Sequence, residues 1–163
     1  MFNRKLLTLV LGGCIGASVV QAESQGYVGA LVGAQTFTKG GGTGLGFGAN
    51  VGMMATADLG VGAYFTYRAK EGVKSMPFGL EVNYWLKDLA PGLYVGARVG
   101  MLRSSAEGLS SNRITFGAQA GYDYALAPEF TIGAELGYNF VMSKDGVDAS
   151  AIISYLASVK YWF

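Results

Sequence analysis

Histidine is absent from this chain of 163 residues, cysteine occurs once and proline three times. Charge is scarce as well: 14% of residues carry one, against roughly 25% in a soluble domain. Each shortage excludes something. Without histidine the most used general base is missing, and so is the commonest metal ligand. A single cysteine, Cys14, cannot build a disulfide scaffold. The charges nearly balance and form no basic block, so no nucleic-acid partner is expected. Past the first 22 residues there is no apolar run of 18, the length that would suggest a spanning helix.

What is present is apolar and small. Apolar residues make up 51%, with 26 Gly, 10 Tyr and 9 Phe. That is too apolar for a disordered chain, and the glycines keep no three-residue period, so the chain is not collagen-like. The length suits one domain.

Residues 1–22 read as a signal peptide: Asn3-Arg4-Lys5, an apolar stretch from Leu6, then Val20-Gln21-Ala22 as a small-residue cleavage site. Cleavage between Ala22 and Glu23 leaves one domain, 23–163. A membrane anchor is the alternative, but the stretch is short and interrupted by Gly and Ser. A lipidated Cys14 after Leu11-Gly12-Gly13 is a second one; the apolar run continues well past it. The mature chain has neither cysteine nor histidine and carries a net charge of −1, since Arg4 and Lys5 leave with the signal.

Gly every few residues opposes helix, and period-two alternation fits throughout. Eight strands are expected: Tyr27–Thr38, Gly44–Ala55, Gly60–Arg68, Pro77–Leu86, Leu93–Arg103, Arg113–Leu126, Phe130–Met142 and Ala149–Phe163. Between them, Lys39–Gly42, Ala69–Lys74, Ser104–Asn112 and Ser143–Asp148 read as polar and mostly longer loops. Thr56–Leu59, Lys87–Gly92 and Ala127–Glu129 read as short turns. Sorting each strand by parity puts Phe47, Val51, Leu80, Val82, Val99, Phe116 and Leu136 on an apolar face. Every strand charge falls on the opposite, glycine-rich face: Arg68, Arg98 and Lys160 against Glu81, Asp123 and Glu135.

A face this poor in charge makes a poor solvent surface but a good narrow lumen, where glycine leaves room for long polar groups. The apolar face then meets lipid. The aromatics agree. Phe47, Phe65, Tyr67, Phe78, Phe116, Tyr138 and Phe140 fall toward one end of their strands. Tyr84, Tyr122, Tyr124, Phe130, Tyr161 and Phe163 fall toward the other. Two girdles around an aliphatic band, on strands of about ten residues, mark a transmembrane barrel. The fold expected is all-β: an eight-stranded antiparallel up-and-down transmembrane barrel. A soluble periplasmic barrel, with the aromatic face inside, is the alternative.

A signal peptide, eight amphipathic strands and a last strand ending Tyr161-Trp162-Phe163 resemble the small outer-membrane β-barrel proteins of Gram-negative bacteria, of the OmpA/OmpX type. The resemblance covers the whole mature chain. It implies export through the periplasm to the outer membrane, and a monomer among outer-membrane lipid and lipopolysaccharide. It also implies biogenesis with periplasmic chaperones and the barrel assembly machinery, which would read Tyr161 and Phe163. The family often has Gly five residues before the end and a polar residue two before that; here those positions are Ser158 and Leu156.

Glu81, Arg98, Gln119 and Glu135 lie near mid-strand and should share one level, with Asp123 and Lys160 below. They read either as a polar pathway or as a self-satisfying plug, and balanced charge favours the plug. The enzymes among outer-membrane barrels use a catalytic histidine, which this chain lacks. Glu81 and Glu135 as a catalytic pair is weaker than a structural triad around Arg98. Ser104, Ser105, Ser110 and Ser111 read as loop solvation, and Lys39-Gly40-Gly41-Gly42-Thr43-Gly44 lacks the ending of a phosphate loop. No catalytic residue, metal site or cofactor is expected. Three functions stay open: an envelope-integrity barrel with a plugged lumen, a surface adhesion protein using its outer loops, or a narrow conduit for ions or small amphiphiles.

Overall fold

The computed structural model describes residues 25–39, 42–106, 109–144 and 148–163. The signal peptide, Cys14 and the Ala22/Glu23 cleavage site lie outside the described residues. Eight strands follow in order: β1 (Gly26–Phe37), β2 (Gly42–Met54), β3 (Leu59–Lys70), β4 (Val73–Trp85), β5 (Leu93–Ala106), β6 (Leu109–Ala127), β7 (Phe130–Val141) and β8 (Ser150–Trp162). Each pairs antiparallel with its sequence neighbours, and β8 returns to β1, so the sheet closes into an up-and-down barrel with no free edge. Closure runs to the last residue. Gly26 and Phe163 exchange two backbone hydrogen bonds of 2.9 Å, and the Phe163 ring covers Gly26 so closely that a Cβ there would lie 2.6 Å from it. The end that holds Gln25 and Phe163 is called proximal below, the other distal.

Period-two alternation sorts the faces as the sequence suggests. Outward side chains have no protein partner on their outer side: Leu80 is 63% exposed, Phe47 57% and Val99 55%. Across the belt the charged and amide groups point in, with Glu81 at 1% and Arg98 at 4%. Beyond it Lys74 and Arg103 lie exposed on the outward face, so the expectation that every strand charge faces the lumen is corrected at Arg103, where the strand has passed the belt. A soluble barrel has the reverse arrangement, and that alternative is excluded by these faces. An apolar belt this continuous needs lipid around it. The girdles form as ring contacts between neighbouring strands. Phe47–Tyr67 and Phe116–Phe140 are each 5.2 Å apart toward the distal end, and Phe130–Tyr161 is 5.0 Å apart at the proximal end.

Two expected loops are corrected. Ala69–Lys74 is ladder, not loop: Arg68↔Ser75, Ala69↔Lys74 and Lys70↔Val73 pair, and only Glu71 and Gly72 turn. Both have positive φ, 50° and 81°, the backbone of a tight two-residue hairpin whose twist matches the strands. Ser104–Asn112 is also mostly ladder. Ser104↔Ser111, Ser105↔Ser110 and Ala106↔Leu109 extend β5 and β6 past the apolar belt, where no alternation is needed to hold a strand. The expected contrast between mostly longer loops at one end and short turns at the other weakens with them: the distal connections run from two residues at 71–72 to eight at 142–149, and the proximal ones from two at 128–129 to seven at 86–92. Pro77, expected to open a strand, lies inside β4. It pairs toward β5 with Leu102, while the β3–β4 ladder breaks between Phe65↔Phe78 and Arg68↔Ser75, where an N–H is missing.

Candidate functional site

The lumen is filled in layers, and register explains how. Glu81 and Arg98 face each other directly across the β4–β5 ladder. Arg98 Nε and Nη2 donate to Glu81 Oε2 at 3.0 and 2.8 Å. Arg98 Nη1 meets Glu135 Oε1, on β7, at 2.8 Å, as an ion contact rather than an aligned hydrogen bond. The guanidinium also lies over the Tyr64 ring, 4.5 Å from its centre. One cation thus holds two carboxylates, and neutral donors complete them. Tyr27 (3.1 Å) and Asn50 (3.3 Å) donate to Glu81 Oε1, Gln119 donates to Glu81 Oε2 (3.3 Å), and Tyr94 donates to Glu135 Oε2 (3.0 Å). Gln119 Nε2 is shared with Asn83 Oδ1.

The glycines make these reaches possible. In the ladder, Tyr94 faces Gly121, which faces Glu135 on the next strand. The Tyr94 ring lies across Gly121, where a Cβ would come within 2.4 Å of it, and its hydroxyl lands on Glu135. Tyr27 does the same over a longer span: Gly52 and Gly62 separate it from Glu81, and a Cβ at Gly52 would come within 2.6 Å of the ring.

Below this layer, Lys160 Nζ donates to Asp123 Oδ2 at 2.6 Å and lies 4.6 Å from the Tyr94 ring centre. Tyr27, Trp85, Tyr94 and Trp162 form an aromatic floor, with ring centres 5.0 to 6.0 Å apart. Beneath the floor the barrel opens at its proximal mouth into a vestibule of about 710 Å³, lined in part by Met54, Trp85, Lys87, Asp123 and Trp162. At the distal end Phe37, Leu102, Val141 and Ile152 pack into an apolar lid, with Arg68 over the Phe37 ring at 4.8 Å. Between lid and triad, the space bounded by Gln35, Tyr64, Asn139 and Ser154 is about 10 Å³, one water at most.

The structure therefore brings Glu81, Arg98, Gln119 and Glu135 into one cluster and puts Asp123 and Lys160 in a separate pair beneath it. Sequence reading missed Tyr27, Asn50, Asn83, Tyr64 and Tyr94 as members. Their parity was the available signal; which carboxylate each meets depends on register. The lid was missed too, because apolar residues at lumen parity look like a lapse in alternation. Ser104, Ser105, Ser110 and Ser111 stand in the distal β5–β6 hairpin and not in the lumen. Tyr161 and Phe163 are outward girdle rings 6.2 Å apart, next to the β1–β8 closure. Among the described residues no three His, Cys, Asp or Glu side chains gather as a metal site would require.

No protein-family model and no curated protein matches the sequence. Solved structures do. Neisserial surface protein A superposes with a TM-score of 0.71 at 21% identity, over 87% of this chain and 98% of that one. The N-terminal β-barrel domain of OprF from Pseudomonas aeruginosa gives 0.59 at 15% identity, over 86% and 100%. Ail, the attachment invasion locus protein of Yersinia pestis, solved with the heparin analogue sucrose octasulfate, gives 0.56 at 15%, over 87% and 100%. With its closed ladder, outward apolar belt and polar lumen, the chain has the eight-stranded transmembrane fold of the small outer-membrane β-barrels of Gram-negative bacteria.

Proposed function

We propose that this protein is a non-enzymatic structural barrel of the outer membrane, serving envelope integrity with a closed lumen. One observation carries the reading. The interior is blocked three times over, by the apolar lid, the Arg98 triad and the aromatic floor, with about 10 Å³ left between the first two. Eight strands leave a lumen that side chains can fill, and here polar groups with matched charges fill it. A conduit would need that network to open. An acyl-transfer or hydrolytic site would need a nucleophile beside a base, and the lumen carboxylates are instead held by Arg98, Lys160 and neutral donors.

On this reading the proximal end faces the periplasm and the distal hairpins face outward. Tyr161 and Phe163, on the closing strand, are suited to recognition by the assembly machinery during biogenesis, after passage with periplasmic chaperones. Surface adhesion is the second reading. It is favoured by the β5–β6 hairpin, which rises past the belt, and by the likeness to Ail, a protein solved with a heparin analogue.

The test is deletion in the native host, or depletion if deletion is lethal. Cell fractions should show the protein in the outer membrane, with heat-dependent mobility on a denaturing gel. Loss should raise sensitivity to detergents and bulky antibiotics, and the chain lacking Ser104–Ser111 should restore resistance. Unchanged barrier function together with lost attachment to host surfaces would move the function to the hairpin.

A further inference from the structure

On the distal rim Lys74 and Arg103 stand out: among the described residues neither has an acid within ion-pair distance. Other rim cations are engaged: Lys39 lies 3.7 Å from Asp148 and Lys70 lies 3.7 Å from Glu71, while Arg113 donates to the carbonyl of Asp148 at 3.5 Å. Lys74 and Arg103 are both exposed. Register puts them on one face. Lys74 opposes Ser105 and Arg103 opposes Met76, so the two cations are diagonal neighbours, about 7 Å apart at Cβ. Parity sets that face as the outward one, shared with Phe78 on β4 and Met101 on β5. Beside them Lys144 Nζ donates to the carbonyl of Asn112 (3.2 Å), the residue opposite Arg103.

One step down the same face the chemistry changes. Phe78, Met101 and Ile114 form an exposed apolar row across β4, β5 and β6. Lys74 and Arg103 thus sit above the lipid-facing belt and point sideways rather than into the distal mouth. A ligand that satisfies both parts has apolar chains for the row and an anionic headgroup for the cations. Arginine offers a planar fork for two phosphate oxygens, lysine a mobile point charge, and Ser105 a hydroxyl opposite Lys74.

We propose that Lys74 and Arg103 form a binding site for the phosphoryl headgroup of a lipid in the surrounding leaflet, its acyl chains lying on Phe78, Met101 and Ile114. On the orientation argued above, which this inference adopts, that leaflet is the outer one.

The experiment uses the full chain, processed in a Gram-negative host and purified in detergent. Native mass spectrometry measures binding of a bisphosphorylated lipid A, of the same lipid stripped of phosphate, and of soluble sucrose octasulfate. Lys74→Gln and Arg103→Gln should each weaken phosphorylated-lipid binding about fivefold, and the double variant about 25-fold, at ~1 kcal/mol per surface cation. The stripped lipid should bind the parent no better than the phosphorylated lipid binds the double variant. Lys39→Gln, which removes a paired cation, should change nothing. All variants should keep heat-dependent gel mobility, since none touches the lumen. A double variant that binds phosphorylated lipid as tightly as the parent overturns the site. So does sucrose octasulfate binding as tightly as the lipid and displacing it, which would make this a site for soluble polyanions. A barrel that binds as expected yet fractionates outside the outer membrane contradicts the localisation and leaves the site standing.

Discussion

Two ion clusters share the lumen, and they are held very differently. Arg98 uses Nε, Nη1 and Nη2, reaches carboxylates on two strands, and stacks on Tyr64. Its partners Glu81 and Glu135 are further held by Tyr27, Asn50, Gln119 and Tyr94. Lys160 makes one ion pair, to Asp123 Oδ2, and rests on aromatic faces. Asp123 Oδ1 has no protein hydrogen-bond partner among the described residues, and Asp123 borders the vestibule. The difference follows from the two cations. A rigid planar fork can tie several strands into one level of the barrel, whereas an ammonium on a flexible stem closes a local pair near water. The upper cluster is the structural lock of the lumen and the lower one is its edge.

That contrast can be broken by substitution, with unfolding of the refolded barrel in lipid vesicles as the measurement. Arg98→Ala leaves two buried carboxylates without their cation and should cost about 3–5 kcal/mol. Lys160→Ala leaves Asp123 beside the vestibule, where water can reach it, and should cost about 1–3 kcal/mol. A larger loss for Lys160 than for Arg98 would reverse the ranking. Gly121→Val fills the trench under Tyr94 and should also cost about 1–3 kcal/mol by overpacking. The same change at Gly72, where a Cβ meets nothing within 4 Å, tests backbone strain alone. Tyr94→Phe removes only the hydroxyl on Glu135 and should cost about 0.5–1.5 kcal/mol. If Gly121→Val costs no more than Tyr94→Phe, the glycine row is not what sets the ring in place.

The faces of the barrel were legible in the sequence because alternation alone decides them. Phe47 and Gly48 differ by one position and therefore by the whole wall of the barrel. Glu81, Arg98, Gln119, Asp123, Glu135 and Lys160 were legible as lumen residues for the same reason. Their partners were not. Whether Tyr27 meets Glu81 or another carboxylate depends on the stagger of four strands, to which Gly52 and Gly62 contribute no visible preference. The Glu71-Gly72 turn was hidden because charged and glycine residues around Lys70 look the same in a loop and in a two-residue hairpin. The serine ladder of β5 and β6 was hidden because a strand above the belt needs no apolar face. The lid of Phe37, Leu102, Val141 and Ile152 was hidden because it puts apolar side chains at the parity that elsewhere carries the charges.

The central claim is that this lumen is closed. Its most direct test is the conductance of the purified barrel in a planar lipid bilayer at high salt, with insertion confirmed by protease protection of the distal hairpins. The account predicts no stable current steps from the parent protein. Regular, reproducible steps from it would show a continuous water path past the lid, the Arg98 triad and the aromatic floor, and would contradict the account.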